Sequence, residues 1–314
     1  MTLKRVMWIA GTAAALYIAV GYWVVTNFEV PPLSNLAVAL VLLAALSQIA
    51  AKWFFGLLFR ESIQESGEDV SPWTAFKAAL VGAGIARLIP AGGAITPVGM
   101  AWTLRDQTKG STAGPALRTV LLNYAGLLML TGLGLLFARP LETAEIGGFS
   151  ISLVILAPVV LGIGLILMFG SGRLGTISNY LPRFVRDKVK DSMVNHFPKL
   201  ESQLYVWARI GLEAAALYLV LLAFGIRVDG FQVMAAFGGS ALIGGLPGTP
   251  GGAGITELGL AGILAAYGFP AATTVVPILV FRVVSYWLPA GLGFWAGGST
   301  FLRSDEAKAA DAAS

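Results

Sequence analysis

The residues best suited to bind a charged ligand lie in apolar parts of the chain, where an ionised side chain needs a compensating role. Arg282 lies well inside an apolar segment, and Tyr286 follows it one helical turn later on the same face. Glu257 comes directly after a run rich in glycine and proline. A guanidinium group can hold two phosphate oxygens at once, so we predict a phosphate site at Arg282. Glu257 could orient Arg282, carry a coupling proton, or simply cap its own helix.

Two further arginines are candidate ligands for the same phosphate. Arg87 immediately precedes a second glycine-rich break, and Arg118 lies on the apolar segment that follows this break. Arg118 is close to one end of its segment, so it could instead contact lipid headgroups. Arg209 and Glu213 are one helical turn apart, which favours a local ion pair.

Both breaks offer backbone groups as well as side chains. Residues 90–93 and 250–254 each precede a short apolar stretch that predicts a helix. The N–H groups at the start of a helix form a ready phosphate site, and glycine lets a ligand approach the backbone. Close helix packing through small residues is the alternative. The candidate binding glycines are Gly92, Gly93, Gly251, Gly252 and Gly254.

The composition predicts an α-helical membrane protein. Of the 314 residues, 56% are hydrophobic and only 12% are charged, about half the charged share of soluble domains. The chain has no cysteine and a single histidine, His196. Disulfide scaffolds, cysteine-ligated metals and a Ser–His–Asp hydrolase are therefore excluded or very unfavourable. We expect no cofactor, and the net charge of +4 gives no reason to expect a nucleic-acid partner.

The elements that must position these residues follow from the lengths of the apolar stretches. A helix needs about 20 residues to cross the hydrocarbon core. The predicted spans cover residues 6–28, 36–59, 115–138, 151–170, 204–224 and 272–296. Two pairs of shorter stretches surround the breaks, 73–89 with 94–104 and 231–246 with 255–267. These pairs predict two re-entrant helical hairpins. Polar loops are expected at 60–71, 139–150 and 171–200.

The two breaks also predict an internal repeat of opposite orientation. Residues 90–99 (PAGGAITPVG) and 250–259 (PGGAGITELG) match at five of ten positions. A full span follows each break, and inverted repeats with interrupted helices are typical of transporters. We expect one membrane domain over residues 1–303, with repeats at about 33–138 and 204–297, and a disordered tail at 304–314.

The distribution of basic residues predicts the topology. Six spans place both termini on one side, together with thirteen lysines and arginines in and beside the connecting loops, against two on the other side. The positive-inside rule then places both termini in the cytoplasm, in a cell inner membrane.

Two runs carry a resemblance to a known family. Residues 247–257 (PGTPGGAGITE) and 281–289 (FRVVSYWLP) resemble the membrane region of lysylphosphatidylglycerol synthases, a module that also occurs alone. The resemblance covers essentially the whole chain and implies movement of a lipid. The 314 residues leave no room for the soluble synthase domain, so we expect no enzyme activity. The first hairpin departs from some relatives, because residues 91–94 carry no charge.

These observations together favour a lipid flippase. The expected substrate is a phospholipid or a polyprenyl-phosphate-linked lipid, held by the arginines, the glycine-rich breaks and Tyr286. One alternative is an ion-coupled carrier of a small soluble anion. The other is an intramembrane enzyme acting on polyprenyl phosphates, although the Asp-rich magnesium motifs expected of it do not occur. A homo-oligomer is possible, and a pure scaffold would leave the buried charges unexplained.

Overall fold

The structure is a computed structural model, and the part of the chain that it describes is mainly helical. It describes residues 34–88, 92–105, 107–108, 110, 112–138, 144–146, 149–151, 153–170, 197–245, 249, 251–297 and the isolated positions 19, 22 and 26. The predicted first span at 6–28, most of the basic loop at 171–200 and the tail at 304–314 lie outside the described residues.

The described helices follow the predicted order. They are α1 (Asn35–Gln64), α2 (Pro72–Leu88), α3 (Gly92–Leu104), α4 (Ala113–Phe137), α5 (Leu153–Gly170), α6 (Leu200–Ala223), α7 (Gly230–Gly244), α8 (Ile255–Ala266) and α9 (Ala271–Gly297). Four of them, α1, α4, α6 and α9, are long and apolar enough to cross a membrane. The all-α class of a polytopic membrane protein is confirmed.

Several boundaries differ from the prediction for local reasons. Helix α1 continues five residues beyond Phe59, to Gln64, so the first part of the predicted polar loop is helical. Helix α3 begins at Gly92, so Gly92 and Gly93 lie in its first turn rather than in the break. The predicted loop at 139–150 contains a short antiparallel hairpin of β1 (Ala144–Ile146) and β2 (Phe149–Ile151).

The described helices form two halves with the same order: long, short, short, long. In the first half these are α1 to α4, and in the second half α6 to α9. The two short helices of each half pack against each other as a hairpin, α2 on α3 and α7 on α8. A capping box starts α7. The Asp229 side chain accepts a hydrogen bond from the backbone N–H of Gln232, and the Gln232 side chain accepts one from the backbone N–H of Asp229.

The two halves meet where α1 crosses α6. Along this contact Lys52 pairs with Glu213, and Glu61 accepts a hydrogen bond from Ser202. As residue numbers rise along α1 they fall along α6, so the two helices run antiparallel. Because α1 and α6 hold corresponding places in the two halves, the halves run in opposite directions at this contact, as an inverted repeat requires.

The outer contacts of the two halves also correspond. The last long helix of each half packs against the first short helix of the other half through a glycine. A Cβ on Gly134 of α4 would lie 2.8 Å from the Cα of Ala235 in α7, and one on Gly293 of α9 would lie 3.1 Å from the Cα of Gly84 in α2. These close approaches bring the two hairpins towards the centre of the molecule, beside the crossing of α1 and α6.

One helix carries a local irregularity at the centre. Helix α9 is α-helical from Ala271 to Arg282 and then forms a π-helical turn, Val283–Trp287, before it continues to Gly297. Single π-turns inside helices are frequent at functional sites because they reorient side chains. Here the turn carries Ser285 and Tyr286.

Candidate functional site

A cavity of about 210 Å³ lies between the two hairpins and beside the crossing of α1 and α6. Helices from both halves line it, together with the break between α7 and α8. Its polar lining residues are Gln48, Lys52, Arg87, Arg209, Glu213, Ser240, Thr249, Thr256, Arg282, Ser285 and Tyr286. The structure therefore brings Arg87, Arg282, Tyr286 and the glycine-rich break together, as the predicted phosphate site requires.

Arg282 is buried at the wall of this cavity and is held from three directions. Its Nε donates a hydrogen bond to Glu257 Oε1 at 2.8 Å, and its Nη2 donates to the Gly251 carbonyl at 3.4 Å. The guanidinium carbon also lies 4.7 Å from the centre of the Tyr286 ring. Of the roles considered for Glu257, the structure shows the one in which it pairs with Arg282. The orientation of the guanidinium is thereby fixed.

Arg87 lies at the end of α2, where two backbone carbonyls accept hydrogen bonds from it and its guanidinium carbon lies 5.5 Å from the centre of the Tyr286 ring. It donates to Ala83 O at 2.7 Å and, across the two halves, to Ser285 O at 2.8 Å. Tyr286 in turn donates its hydroxyl to the Arg87 carbonyl at 2.6 Å. Within the described part of the chain Arg87 forms no ion pair with a carboxylate. It therefore adds a positive charge that the surrounding protein does not neutralise.

A buried ionic cluster forms the third part of the wall. Glu213 Oε1 forms an ion pair with Lys52 of α1 and another, at 3.4 Å, with Arg209 of its own helix. The Arg209 guanidinium also lies 4.3 Å from the centre of the Phe55 ring. The predicted local pair of Arg209 and Glu213 is present, but it also lines the cavity, which the sequence analysis missed.

Lys52 was not predicted as a site residue, although its position in an apolar segment marks it as a candidate. It is a lysine in the middle of a 30-residue apolar helix, and only 4% of it is exposed. An ionisable residue at such a depth is a functional candidate by default. Gln48 lies one turn earlier on the same face, is 1% exposed, and was also not predicted.

The charges of the cavity wall do not cancel. Among the described residues, the four basic side chains Lys52, Arg87, Arg209 and Arg282 face or flank only two carboxylates, Glu213 and Glu257. Burying unpaired charge is costly, so this excess favours occupation by an anion. Several buried lining atoms also lack a hydrogen-bond partner among the described residues: Gln48 Nε2, Arg209 Nε, Thr249 Oγ1 and Ser285 Oγ.

The glycines of the second break act mainly through backbone conformation. Gly251, Gly252 and Gly254 have φ values of 57°, 70° and 81°, which residues with a Cβ adopt at a cost. Gly251 lies so close to the first half that a Cβ there would be 3.0 Å from the Arg87 Cα. Gly251 and Gly252 line the cavity, whereas Gly254 is not among its lining residues.

The predicted backbone phosphate site is only partly available. The N–H of Gly252 donates to Thr249 O, that of Thr256 to Gly252 O and that of Leu258 to Gly254 O. The turn thus consumes donors that the sequence analysis assigned to a ligand, because the helical pattern begins inside the break. The second break contacts the first half at Arg87, and the charged side chains supply the positive field.

Arg118 does not belong to this site. It is 4% exposed and pairs with Glu65, away from the cavity. The physical reason is the extension of α1 beyond Phe59, which carries Glu65 against α4. Lys199 approaches the same carboxylate at 3.6 Å. The structure therefore places Arg118 in a buried pair with Glu65 and not among the cavity residues, contrary to its assignment to the substrate.

The fold and the cavity define a multi-pass α-helical membrane protein with a basic centre. No group of three potential metal-ligating side chains is found in the described ranges. The family model described as the lysylphosphatidylglycerol synthase TM region matches residues 7–293, and the chain belongs to this family. The predicted resemblance is thus confirmed.

A curated relative is similar over a shorter stretch. A UPF0104 membrane protein of Methanothermobacter thermautotrophicus is 35% identical over 82 residues, which are 26% of this chain and 25% of the relative. The chain thus aligns with about a quarter of that relative's length. This similarity is to another membrane protein and says nothing more specific about activity.

Proposed function

We propose that this protein is a flippase that moves a phosphate-bearing lipid between the two leaflets, with the phosphate in the central cavity. The observation that carries the proposal is the excess of basic over acidic side chains around that cavity. A phosphate group has several acceptor oxygens and suits guanidinium donors in particular. The lipid is a phospholipid or a polyprenyl-phosphate-linked lipid, and the protein acts as a carrier rather than as an enzyme.

The surroundings of the cavity fit a headgroup that crosses while its tails stay in the bilayer. Apolar side chains project outward from the long and short helices, including Leu36, Leu46, Ile166 and Leu258, which are 61–74% exposed. Such faces suit contact with lipid tails. Inside, the cations are held by fixed partners such as Glu257 and the Ser285 carbonyl, so the headgroup meets an oriented set of donors in place of water.

A carrier of a small soluble anion would use the same chemistry. The cavity of about 210 Å³ is large enough for a free phosphate ion with several water molecules. The two functions differ in what the protein moves, so the decisive measurement compares a labelled lipid with free phosphate in the same vesicles.

The test uses purified protein in vesicles that contain a short-chain fluorescent phosphatidylglycerol. We expect wild-type protein to expose the label to an external quencher, and Arg282→Gln to slow this at least tenfold. Arg282→Lys should restore only part of the rate, because an ammonium group cannot replace the bidentate grip of the guanidinium. Arg87→Gln should also lower the rate.

The matched control is the double variant Glu65→Gln/Arg118→Gln. It neutralises another buried ion pair that lies outside the cavity, so it should transport the lipid at near the wild-type rate if it folds with a similar melting temperature. Wild-type rates in both Arg282→Gln and Arg87→Gln would refute the site. Uptake of free phosphate without lipid movement would favour the soluble-anion carrier.

The protein lies in a cell inner membrane with both termini in the cytoplasm and both hairpins re-entrant, and a homo-oligomer is compatible with this arrangement. The basic-residue count supports this topology. Ser66 and Gly230 are exposed at opposite ends of the long helices. In intact cells, an impermeant thiol reagent should label Gly230→Cys but not Ser66→Cys in this cysteine-free chain. The reverse pattern would invert the topology.

A further inference from the structure

A second cavity of about 150 Å³ adjoins the first one on the side of the first half. Lys52, Arg87 and Arg209 line both cavities and so form a basic partition between them. Beyond this partition, the polar residues of the second cavity are Thr96, Asn123 and Tyr124, all from α3 and α4. Its volume corresponds to about five water molecules of liquid, so a phosphate group fits in it.

The two cavities hold corresponding residues of the repeat. Thr96 is the seventh residue of the PAGGAIT run and Thr256 the seventh of the PGGAGIT run, and each lines the cavity of its own half. In each hairpin, a glycine on the other helix lets the threonine-bearing helix pack closely against it. A Cβ on Gly82 would lie 2.9 Å from the Thr96 carbonyl, and one on Gly244 would lie 3.2 Å from the Thr256 Cβ.

The second cavity also presents polar groups that the protein does not satisfy. Asn123 is 8% exposed, and its Oδ1 has no hydrogen-bond partner among the described residues; turning the amide over would place its NH2 group there as a donor to an anion. The Nε and Nη1 atoms of Arg209 likewise have no such partner. Glu213 lines only the first cavity, so an anion in the second cavity would face the three cations of the partition without a carboxylate in the lining.

We propose that the second cavity is another subsite for the same phosphate group, and that the phosphate passes between the subsites across Lys52, Arg87 and Arg209. The proposal rests on the proposed function. Each half of the repeat then supplies one subsite, and the three shared cations contact the anion in both subsites. Because the halves run in opposite directions where α1 crosses α6, each subsite serves one leaflet.

The test separates binding from movement with Asn123→Leu, which removes the amide but keeps a similar volume. We expect the affinity for the fluorescent phosphatidylglycerol to stay within twofold of wild type, because the first subsite is intact. Translocation in vesicles should fall at least tenfold. Arg282→Gln should instead weaken both. Asn123→Ser, which keeps a polar group, should recover part of the rate, and Thr96→Val gives a second test should Asn123→Leu fail to fold.

Three outcomes overturn the second subsite. Translocation within twofold of wild type in both Asn123→Leu and Thr96→Val shows that it is not used. Parallel losses of affinity and translocation show a single site. Wild-type protein that binds neither the lipid nor inorganic phosphate removes both sites. If wild-type protein binds and moves inorganic phosphate but not lipid, the flippase function fails, and the same variants test the subsite with phosphate uptake.

Discussion

The two helical hairpins share one plan but differ at their breaks. In the first hairpin α2 ends at Leu88 and α3 begins at Gly92, whereas in the second α7 ends at Gly244 and α8 begins at Ile255. The longer break contains three glycines with positive φ, and it reaches across to the first half at Arg87. Three residues thus separate the two helices of the first hairpin, and ten separate those of the second, whose Gly251 contacts the first half.

The hairpins also treat their charges differently. Arg87 at the end of α2 donates hydrogen bonds to carbonyl oxygens, while Glu257 at the start of α8 forms an ion pair with Arg282. The repeat therefore keeps helix order and a matching threonine, but its charges are not repeated. In an anion pathway this difference has a use, because the first half attracts the anion and the carboxylate of the second half limits how tightly it is held.

The largest effect should come from the ionic cluster where the halves cross. Glu213→Gln leaves Lys52 and Arg209 buried without a carboxylate, and breaking a buried ion pair in this way costs about 3–5 kcal/mol. We expect a large fall in the melting temperature of the detergent-solubilised protein. Phosphate should restore part of the loss, because an anion can replace the missing carboxylate.

The double variant Lys52→Met/Glu213→Gln serves as the comparison for this cluster. It removes one of the two orphaned cations, so it should be more stable than Glu213→Gln alone. Equal stability of the two variants would show that Lys52 is not destabilising once Glu213 is neutralised, contrary to the cost expected of an unpaired buried cation.

Much of the fold could be predicted from the sequence because apolar length and glycine-rich breaks are local signals. The second hairpin was predicted with its break in place, since residues 250–254 contain the positive-φ glycines that precede α8. The pairing of Glu257 with Arg282 was among the roles predicted for Glu257. Both residues stand out as charges in apolar surroundings.

The central cluster could not be predicted in the same way. Arg209 and Glu213 already have a local explanation one turn apart, and only the antiparallel crossing of α1 brings Lys52 to them. The partner of Arg118 was not predicted because the end of α1 was placed too early, at Phe59, whereas Glu65 directly follows the true helix end at Gln64. Long-range partners depend on helix packing, which spacing within one segment does not encode.

A second prediction uses the difference between the breaks. Gly252→Ala should destabilise the protein by about 2 kcal/mol, because its φ of 70° is strained for alanine and a Cβ would lie 2.7 Å from Thr256 Oγ1. Gly92 is the matching residue of the first hairpin but is the first residue of α3, so Gly92→Ala should change the stability by less than about 1 kcal/mol. Thermal unfolding of the two variants measures the contrast.

Gly254→Ala is the control that separates strain from crowding. Gly254 has a φ of 81°, but a Cβ there would meet nothing within 4 Å. It should therefore cost only the conformational strain, about 1 kcal/mol, and less than Gly252→Ala. A loss in Gly92→Ala as large as that in Gly252→Ala would contradict the structural difference between the two breaks.

The most specific effect concerns the carboxylate of the second half. Glu257→Gln leaves Arg282 without its 2.8 Å ionic partner, so a phosphate should bind there more tightly. We expect about tenfold higher affinity for fluorescent phosphatidylglycerol, equivalent to about 1.4 kcal/mol, together with slower dissociation and slower translocation. Glu201→Gln removes a negative charge outside the cavity, where Glu201 accepts a hydrogen bond from Tyr205, and should change none of these. If Glu257→Gln binds the lipid no more tightly than Glu201→Gln, Glu257 only positions the helix. The difference between Arg282, which has a carboxylate partner, and Arg87, which has none among the described residues, then has no role in dissociation of the lipid.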